Sequence, residues 1–158
     1  MGSGSALVGY DGSPAAKRAL QEAIDLLGPV PLLVVVIWEP GLPFEVVAAP
    51  TIDPAPIDIR AALELDQQLY DRARRWAEQA AADARERGRT ADGLVVADEM
   101  TPADTLIRLA TERDAPVIVV GRHGHRAVTE ALMGSTTREL IRRAPCPVLV
   151  VRQDAESS

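Results

Sequence analysis

Five short runs of apolar residues recur along the chain, and between them the apolar positions follow helical spacing. The runs are rich in β-branched residues and nearly continuous, whereas a strand with one face in water alternates apolar and polar residues. This pattern predicts the buried strands of a parallel sheet, with helices covering both faces. The predicted strands span residues 6–8, 32–37, 94–97, 117–120 and 148–151.

Three of the intervening segments carry helix start signals. Ser13 precedes Pro14, which suits a first helical turn, and a Gly-Pro pair ends the segment that follows. Thr101 stands before a proline in the same way. Thr136 and Glu139 have the spacing of a capping box, which predicts a helix with Thr136 as its cap residue.

The longest segment between two runs carries a single apolar stripe, which predicts a long amphipathic helix between the second and third strands. Strands and helices therefore alternate from end to end. Because crossovers between parallel strands are right-handed, this order predicts an α/β fold with a doubly wound sheet. The stripe consists of Ala62, Leu65, Leu69, Ala73, Trp76 and Ala80.

Length and composition narrow the number of domains and the classes of ligand that the sequence allows. A chain of 158 residues favours one domain, here residues 6–152, with a flexible leader at 1–5 and a disordered tail at 153–158. A net charge of −6 and 3% aromatic residues provide neither a basic face nor stacking platforms for nucleic acid. The lone Cys146 is typical of a cytoplasmic protein, and the longest apolar stretch, 30–38, is too short to span a membrane.

Residues 39–58 interrupt the alternation with five prolines. A loop of this length in a small domain is either functional or disordered. It follows the second strand at its carboxyl end, where open α/β sheets bind ligands. We interpret it as a flap near the site, and a tolerated disordered insertion is the alternative.

The most informative motif follows the fourth strand. Gly121-Arg122-His123-Gly124 is followed, after nine residues, by Gly134-Ser135 and a predicted helix. Glycines allow backbone amides to approach a ligand closely, and a helix start adds further donors, so this pattern favours phosphate binding. It is neither a Walker loop nor a dinucleotide-binding fingerprint. Glycines that serve only turns and caps are the alternative interpretation.

Three segments together resemble the universal stress protein family. They are residues 7–13 (LVGYDGS), the spaced glycines of residues 121–135, and residues 144–151 (APCPVLVV). The spaced glycines resemble the branch of that family that binds ATP. The resemblance spans residues 6–152 and implies a five-stranded sheet of order 3-2-1-4-5, with a homodimer formed through the last strand, Val148–Val151.

The resemblance also implies a nucleotide site. Asp11 would hold the ribose, the backbone of Val36 would recognise adenine, and Mg²⁺ would accompany the phosphates. The complete implied set is Gly9, Asp11, Val36, Gly121, Arg122, Gly124, Gly134, Ser135 and Thr136.

Several of these assignments have structural alternatives. Asp11 is also suited to capping the first helical turn, and Ser135 with Thr136 to capping the last helix. His123 and His125 fit solvated loop positions as well as phosphate contacts. Glu130, in the same loop, would repel phosphate unless it points outward or meets a metal ion.

These features favour an ATP-binding regulatory or stress-response protein that acts as a nucleotide-dependent homodimeric switch. A slow ATPase is the competing enzymatic hypothesis, although the sequence offers no dedicated general base. The same residues are also compatible with a dimeric interaction module without nucleotide and with a cyclic-nucleotide binder that takes cAMP.

We predict that Gly124→Val abolishes nucleotide binding, because a branched side chain blocks the close approach of the backbone to phosphate. The variant should remain folded, as judged by its circular dichroism. Isothermal titration with Mg·ATP measures the effect, and an unchanged affinity would remove the glycine loop from the site.

Overall fold

The computed structural model describes residues 4–41, 58–98, 100–122 and 133–152. Within them, five parallel strands form one sheet of order β3-β2-β1-β4-β5, and four helices connect consecutive strands. The predicted doubly wound α/β fold is confirmed. In chain order the elements are β1 (Ala6–Gly9), α1 (Pro14–Leu26), β2 (Leu32–Trp38), α2 (Ile59–Glu86), β3 (Ala91–Ala97), α3 (Pro102–Glu112), β4 (Ile118–Gly121), α4 (Ser135–Arg143) and β5 (Val148–Val151).

Two predicted helix starts are confirmed and the third is wrong. The Ser13 hydroxyl accepts from the Ala16 amide at 3.1 Å, and Thr101 caps α3 in the same way. Helix α4 instead begins at Ser135 with Gly134 as its cap residue, so the predicted capping box lies inside the helix. The difference comes from a contact with a residue distant in sequence. The Gly134 amide donates to the carbonyl of Arg122 at 3.1 Å, and this bond sets the point where the helix begins.

The core lies on both faces of the sheet. On one face, Val8 and Val34 pack with α1 and α2, and on the other, Leu7 and Val35 pack with α3 and α4. This alternation along β1 and β2 is what a central parallel strand requires. The outer strands β3 and β5 are less buried, since each has a neighbour on one side only.

The predicted stripe of α2 is wrong at Leu65, and its other members are buried or half-buried. Leu65 is 45% exposed, whereas the buried positions from residue 73 onward are all alanines. Small side chains let the helix lie directly on β3, and a Cβ atom at Gly93 would fall 2.7 Å from the carbonyl oxygen of Ala77. Strand β3 therefore begins at Ala91, three residues earlier than predicted.

Parts of three predicted segments fall outside the described residues: 1–3 of the leader, 42–57 of the proline-rich loop and the tail 153–158. Of the leader, Gly4 is described, and its amide donates to the carbonyl of Asp114 at 3.0 Å. Among the helices that the structure describes, none is long and apolar enough to cross a bilayer.

We predict that Gly93→Ala destabilises the protein by about 1–3 kcal/mol, because the added methyl group pushes α2 away from β3. Urea denaturation measures the loss. Asp92→Ala is the matched control: its side chain is exposed and makes only a surface ion pair with Arg85, so it should change stability by less than about 1 kcal/mol. Equal stabilities for Gly93→Ala and the wild type would contradict the proposed close packing.

Candidate functional site

The winding of the chain reverses between β1 and β4. Strand β1 leads into α1 on one face of the sheet, and its neighbour β4 leads towards α4 on the other face. The two connections therefore diverge where the strands end, which we term the carboxyl edge. Ligand crevices of open α/β sheets lie at such a reversal. Gly9 lies at this position, where a Cβ atom would be 3.1 Å from the Val120 side chain.

The turn after β1 presents Asp11. Its Oδ1 atom accepts from the Ser13 amide at 2.9 Å, which closes the turn just before α1, whereas the cap of α1 itself is Ser13. Gly12, between them, has a φ of +76°, which other residues adopt only with strain. Ser13 is buried and caps α1. The Ser13 amide thus restrains one oxygen of the Asp11 carboxylate at the carboxyl edge.

The end of β4 brings the two predicted glycine bends together. The Arg122 amide donates to the carbonyl of Val151 at 2.9 Å, and the Arg122 carbonyl accepts from the amide of Gly134 at 3.1 Å. Gly121 lies against α1, since a Cβ atom there would be 2.8 Å from the Cβ atom of Ala15. The close packing of α1 thus requires this glycine, independently of any ligand.

Four candidate residues of the loop between β4 and α4 lie outside the described part of the chain. They are His123, Gly124, His125 and Glu130.

Helix α4 begins beside the end of β4. Its cap residue, Gly134, has no side chain to accept from the first-turn amides, whereas α1, α2 and α3 all have side-chain caps. Ser135 is exposed and Thr136 half-buried. The Thr137 hydroxyl donates to the carbonyl of Gly121 at 3.2 Å and holds the helix to β4. This arrangement suits an anion, because a helix start carries amide donors and partial positive charge.

The structure separates Val36 from the rest of the predicted site. The Leu32 amide donates to the carbonyl of Thr90, and the Trp38 carbonyl accepts from the amide of Asp98, so both residues bond to the β3 side. In a parallel strand, the backbone groups of successive residues point to alternate neighbouring strands. Val36 therefore directs its backbone groups into the pairing with β3, and its side chain is 2% exposed. The backbone groups of Ile37 point instead to the side of β1. The last bond between β1 and β2 is the one that the Tyr10 amide donates to the Val35 carbonyl, and Ile37 lies beyond it. Strand parity, which distinguishes Val36 from Ile37, is not visible in a continuous apolar run.

Charge is ordered along the carboxyl edge. Asp11, Glu39 and Asp98 follow the ends of β1, β2 and β3. Arg122 and Arg152 follow the ends of β4 and β5. The strand order places the acids on one half of this edge and the arginines on the half that also receives the start of α4.

Tyr10 stands at the boundary between these halves. Burial, together with the negative charges of Asp11 and Asp83, raises the pKa of its hydroxyl above the usual value of 10.0. Tyr10 therefore remains a neutral group at physiological pH.

Comparison with known proteins supports a common origin. A universal stress protein of Mycobacterium tuberculosis is 31% identical over 149 residues, which cover 93% of this chain and 45% of that protein. This chain therefore spans about half the length of such mycobacterial relatives. A universal stress protein of Thermus aquaticus is 31% identical over 153 residues, covering 92% of this chain and 96% of the relative.

Solved structures share the fold at lower identity. A Methanocaldococcus jannaschii protein superimposes with a TM-score of 0.78 at 20% identity, covering 99% of this chain and 100% of that one. An Archaeoglobus fulgidus universal stress protein in complex with dAMP gives 0.61 at 22%, covering 95% and 98%. A universal stress protein in complex with cAMP gives 0.64 at 22%, covering 96% and 98%.

The profile of the universal stress protein family matches residues 4–152, nearly the whole chain. Together with the sheet order and the two relatives at 31% identity, this match identifies the chain as a member of the universal stress protein family.

Proposed function

We propose that the protein binds an adenine nucleotide, with Mg·ATP as the principal ligand, and acts as a nucleotide-dependent regulatory homodimer. The observation that carries the proposal is the convergence of two features on one crevice. The turn of Asp11 and the start of α4 lie on either side of the reversal between β1 and β4. A nucleotide needs both an acceptor for its ribose and donors for its phosphates.

The distribution of acidic and basic residues along the carboxyl edge favours one orientation of the nucleotide. Phosphates belong on the half of the carboxyl edge that has Arg122 and the start of α4, because both are electropositive. The base then lies towards β2. There Ile37, whose backbone groups face past the end of β1, replaces Val36 as the residue that would recognise adenine.

Asp11 suits the ribose. The Ser13 amide holds one carboxylate oxygen in place, and a carboxylate can accept hydrogen bonds from several donors. Ribose hydroxyls are such donors. The bond from the Ser13 amide and a ligand role of Asp11 are therefore compatible, because the bond orients the carboxylate that the ribose would use.

The phosphate half combines backbone donors with an arginine. Gly121, Gly134, Ser135 and Thr136 would line it with Arg122, and Gly124 would contribute from outside the described residues. Groups of three or more metal-ligating side chains are absent from the part of the chain that the structure describes. Mg²⁺ would therefore depend mainly on phosphate oxygens and water, as it often does in nucleotide sites.

The relatives solved with dAMP and cAMP support an adenine nucleotide and leave the phosphate arrangement open. A cyclic nucleotide offers the same base and sugar as ATP. Competition between Mg·ATP and cAMP for the purified protein therefore identifies the preferred ligand.

We predict that Asp11→Asn weakens Mg·ATP binding by ~1.5–3 kcal/mol, about tenfold or more, because charge-assisted bonds to the ribose are lost. Asparagine keeps an oxygen for the Ser13 amide, so the turn should persist. Isothermal titration measures the affinity. Asp92→Asn, at the opposite end of the sheet, is the matched control and should bind like the wild type.

A second ligand tests the same role. The wild type should bind 2′,3′-dideoxy-ATP about as weakly as Asp11→Asn binds ATP. Equal ATP affinities for Asp11→Asn and wild type would refute the ribose role. Binding of none of ATP, AMP and cAMP by the wild type would overturn the proposed function.

The dimer would form along β5. This strand is the outer edge of the sheet beyond β4, and Val148, Leu149 and Val150 are half-buried in the single chain. The carbonyls of Pro147 and Val151 accept bonds from β4. By strand alternation, the backbone groups of Val148 and Val150 therefore face outward. An unpaired strand edge of this kind is a template for pairing with a second copy.

We predict that Val150→Pro gives a monomer, because proline removes an outward amide while the bonds from β4 to Pro147 and Val151 remain. Val150→Thr, which retains that amide and a similar volume, should remain dimeric. Sedimentation velocity with and without Mg·ATP measures both. A dimer of unchanged stability in Val150→Pro would place the interface elsewhere.

A further inference from the structure

Most of the few aromatic residues lie together beside the crevice. The chain has two tryptophans, two tyrosines and one phenylalanine. Tyr10, Trp38 and Trp76 pack around one small buried cluster beneath α2, and Tyr70 meets Trp38 edge to face, with ring centroids 5.2 Å apart. The fifth, Phe44, lies outside the described residues. This concentration of rigid side chains borders the turn that carries Asp11.

Trp76 touches that turn directly. A Cβ atom at Gly12 would fall 2.8 Å from Cε2 and 2.9 Å from Cζ2 of the Trp76 ring. Such distances leave no space for a methyl group, so the indole lies against the glycine backbone itself. Two independent features therefore require a glycine at position 12: its positive φ and the indole ring that covers it.

The ring is itself held in position. The guanidinium carbon of Arg72, one turn earlier on α2, lies 4.9 Å from the centroid of the Trp76 ring. Below, the ring packs on the buried cluster of Val36, Ala73 and Ala77. A cation over the ring and close-packed neighbours beneath it restrict its movement. The Trp76 ring that lies against Gly12 is therefore held firmly on α2.

We infer that Trp76 is a positioning residue for the nucleotide, acting through Asp11. The inference rests on the proposed function, in which Asp11 binds the ribose. Two supports hold the turn: the Ser13 amide bonds the carboxylate, and the indole covers the glycine that follows it. Removal of the indole leaves a cavity beside a glycine, and the freed turn then spends less time with the carboxylate oriented for ligand.

The same contact connects the site to α2. Trp76 belongs to a 28-residue helix whose first half exposes Ile59, Leu63 and Leu65. A shift of α2 at the level of Trp76 changes the support of the Asp11 turn. Nucleotide affinity therefore depends on how α2 is packed, and, by reciprocity, bound nucleotide restrains α2.

The test compares Trp76→Ala and Trp76→Phe with Leu109→Ala as control. Leu109 is 4% exposed on the opposite face of the sheet, so its truncation destabilises the core without touching the turn. The affinities for Mg·ATP and for 2′,3′-dideoxy-ATP are measured by isothermal titration, below the unfolding range of all variants. NMR measures the exchange rate of the Ser13 amide without ligand.

Trp76→Ala should bind ATP about tenfold more weakly and bind dideoxy-ATP almost as the wild type does, since only the ribose contact is affected. Trp76→Phe should recover most of the affinity, and Leu109→Ala should lose none. In an Asp11→Asn background, Trp76→Ala should cause no further loss. The Ser13 amide should exchange faster in Trp76→Ala than in the wild type or in Leu109→Ala.

Equal losses for both ligands, or losses that add to those of Asp11→Asn, would overturn the inference and leave nucleotide binding intact. A wild type that binds no adenine nucleotide would instead overturn the proposed function. In that case the hydrogen-exchange rate of the Ser13 amide alone tests whether Trp76 supports the turn. An unchanged rate in Trp76→Ala refutes this support, and a faster rate establishes it.

Discussion

Because all five strands are parallel, every connection must cross a face of the sheet, and right-handed crossovers leave little choice of face. The chain winds outward from β1 to β3 on one side, then returns to build β4 and β5 on the other. Between β1 and β4, neighbouring strands in the middle of the sheet send their connections to opposite faces. The crevice and the approach of α4 both follow from that single reversal.

Small residues make the crevice a place where backbone is accessible. Gly9 faces Val120 closely, Gly12 lies under Trp76, and Gly121 touches Ala15. Each contact would be broken by a β-carbon or would need its neighbour to shift. The same glycines that allow tight packing therefore also leave the amides and carbonyls of the turns near the surface of the site. The structural role of these residues and their proposed ligand-binding role are compatible with one geometry.

Polar groups at the carboxyl edge are organised by strand order. Neighbours in sequence become separated: Arg122 and Asp98 follow consecutive strands yet lie on different halves of that edge, because β4 is inserted beside β1. The electropositive half coincides with the helix that lacks a side-chain cap. The proposed nucleotide would lie along this gradient with its phosphates towards β4 and its base towards β2.

The sequence by itself determined the elements and their class, since hydrophobic periodicity and helix caps are local properties. The buried runs predicted all five strands, and Ser13 and Thr101 marked two helix starts correctly. The sequence also named the spaced glycines and Asp11 as candidates for the site, because turns and close approaches require particular residue types.

Only the tertiary structure decided the remaining features, because each depends on a partner that is distant in sequence. Gly134 begins α4 since its amide is bound to Arg122, which no local capping pattern reveals. Leu65 is exposed although it lies on the predicted apolar stripe, and Gly93 of β3 lies directly against Ala77. Whether the backbone of a residue in β2 faces β1 or β3 is likewise fixed by pairing, since a fully buried strand carries no alternation from which its register could be inferred.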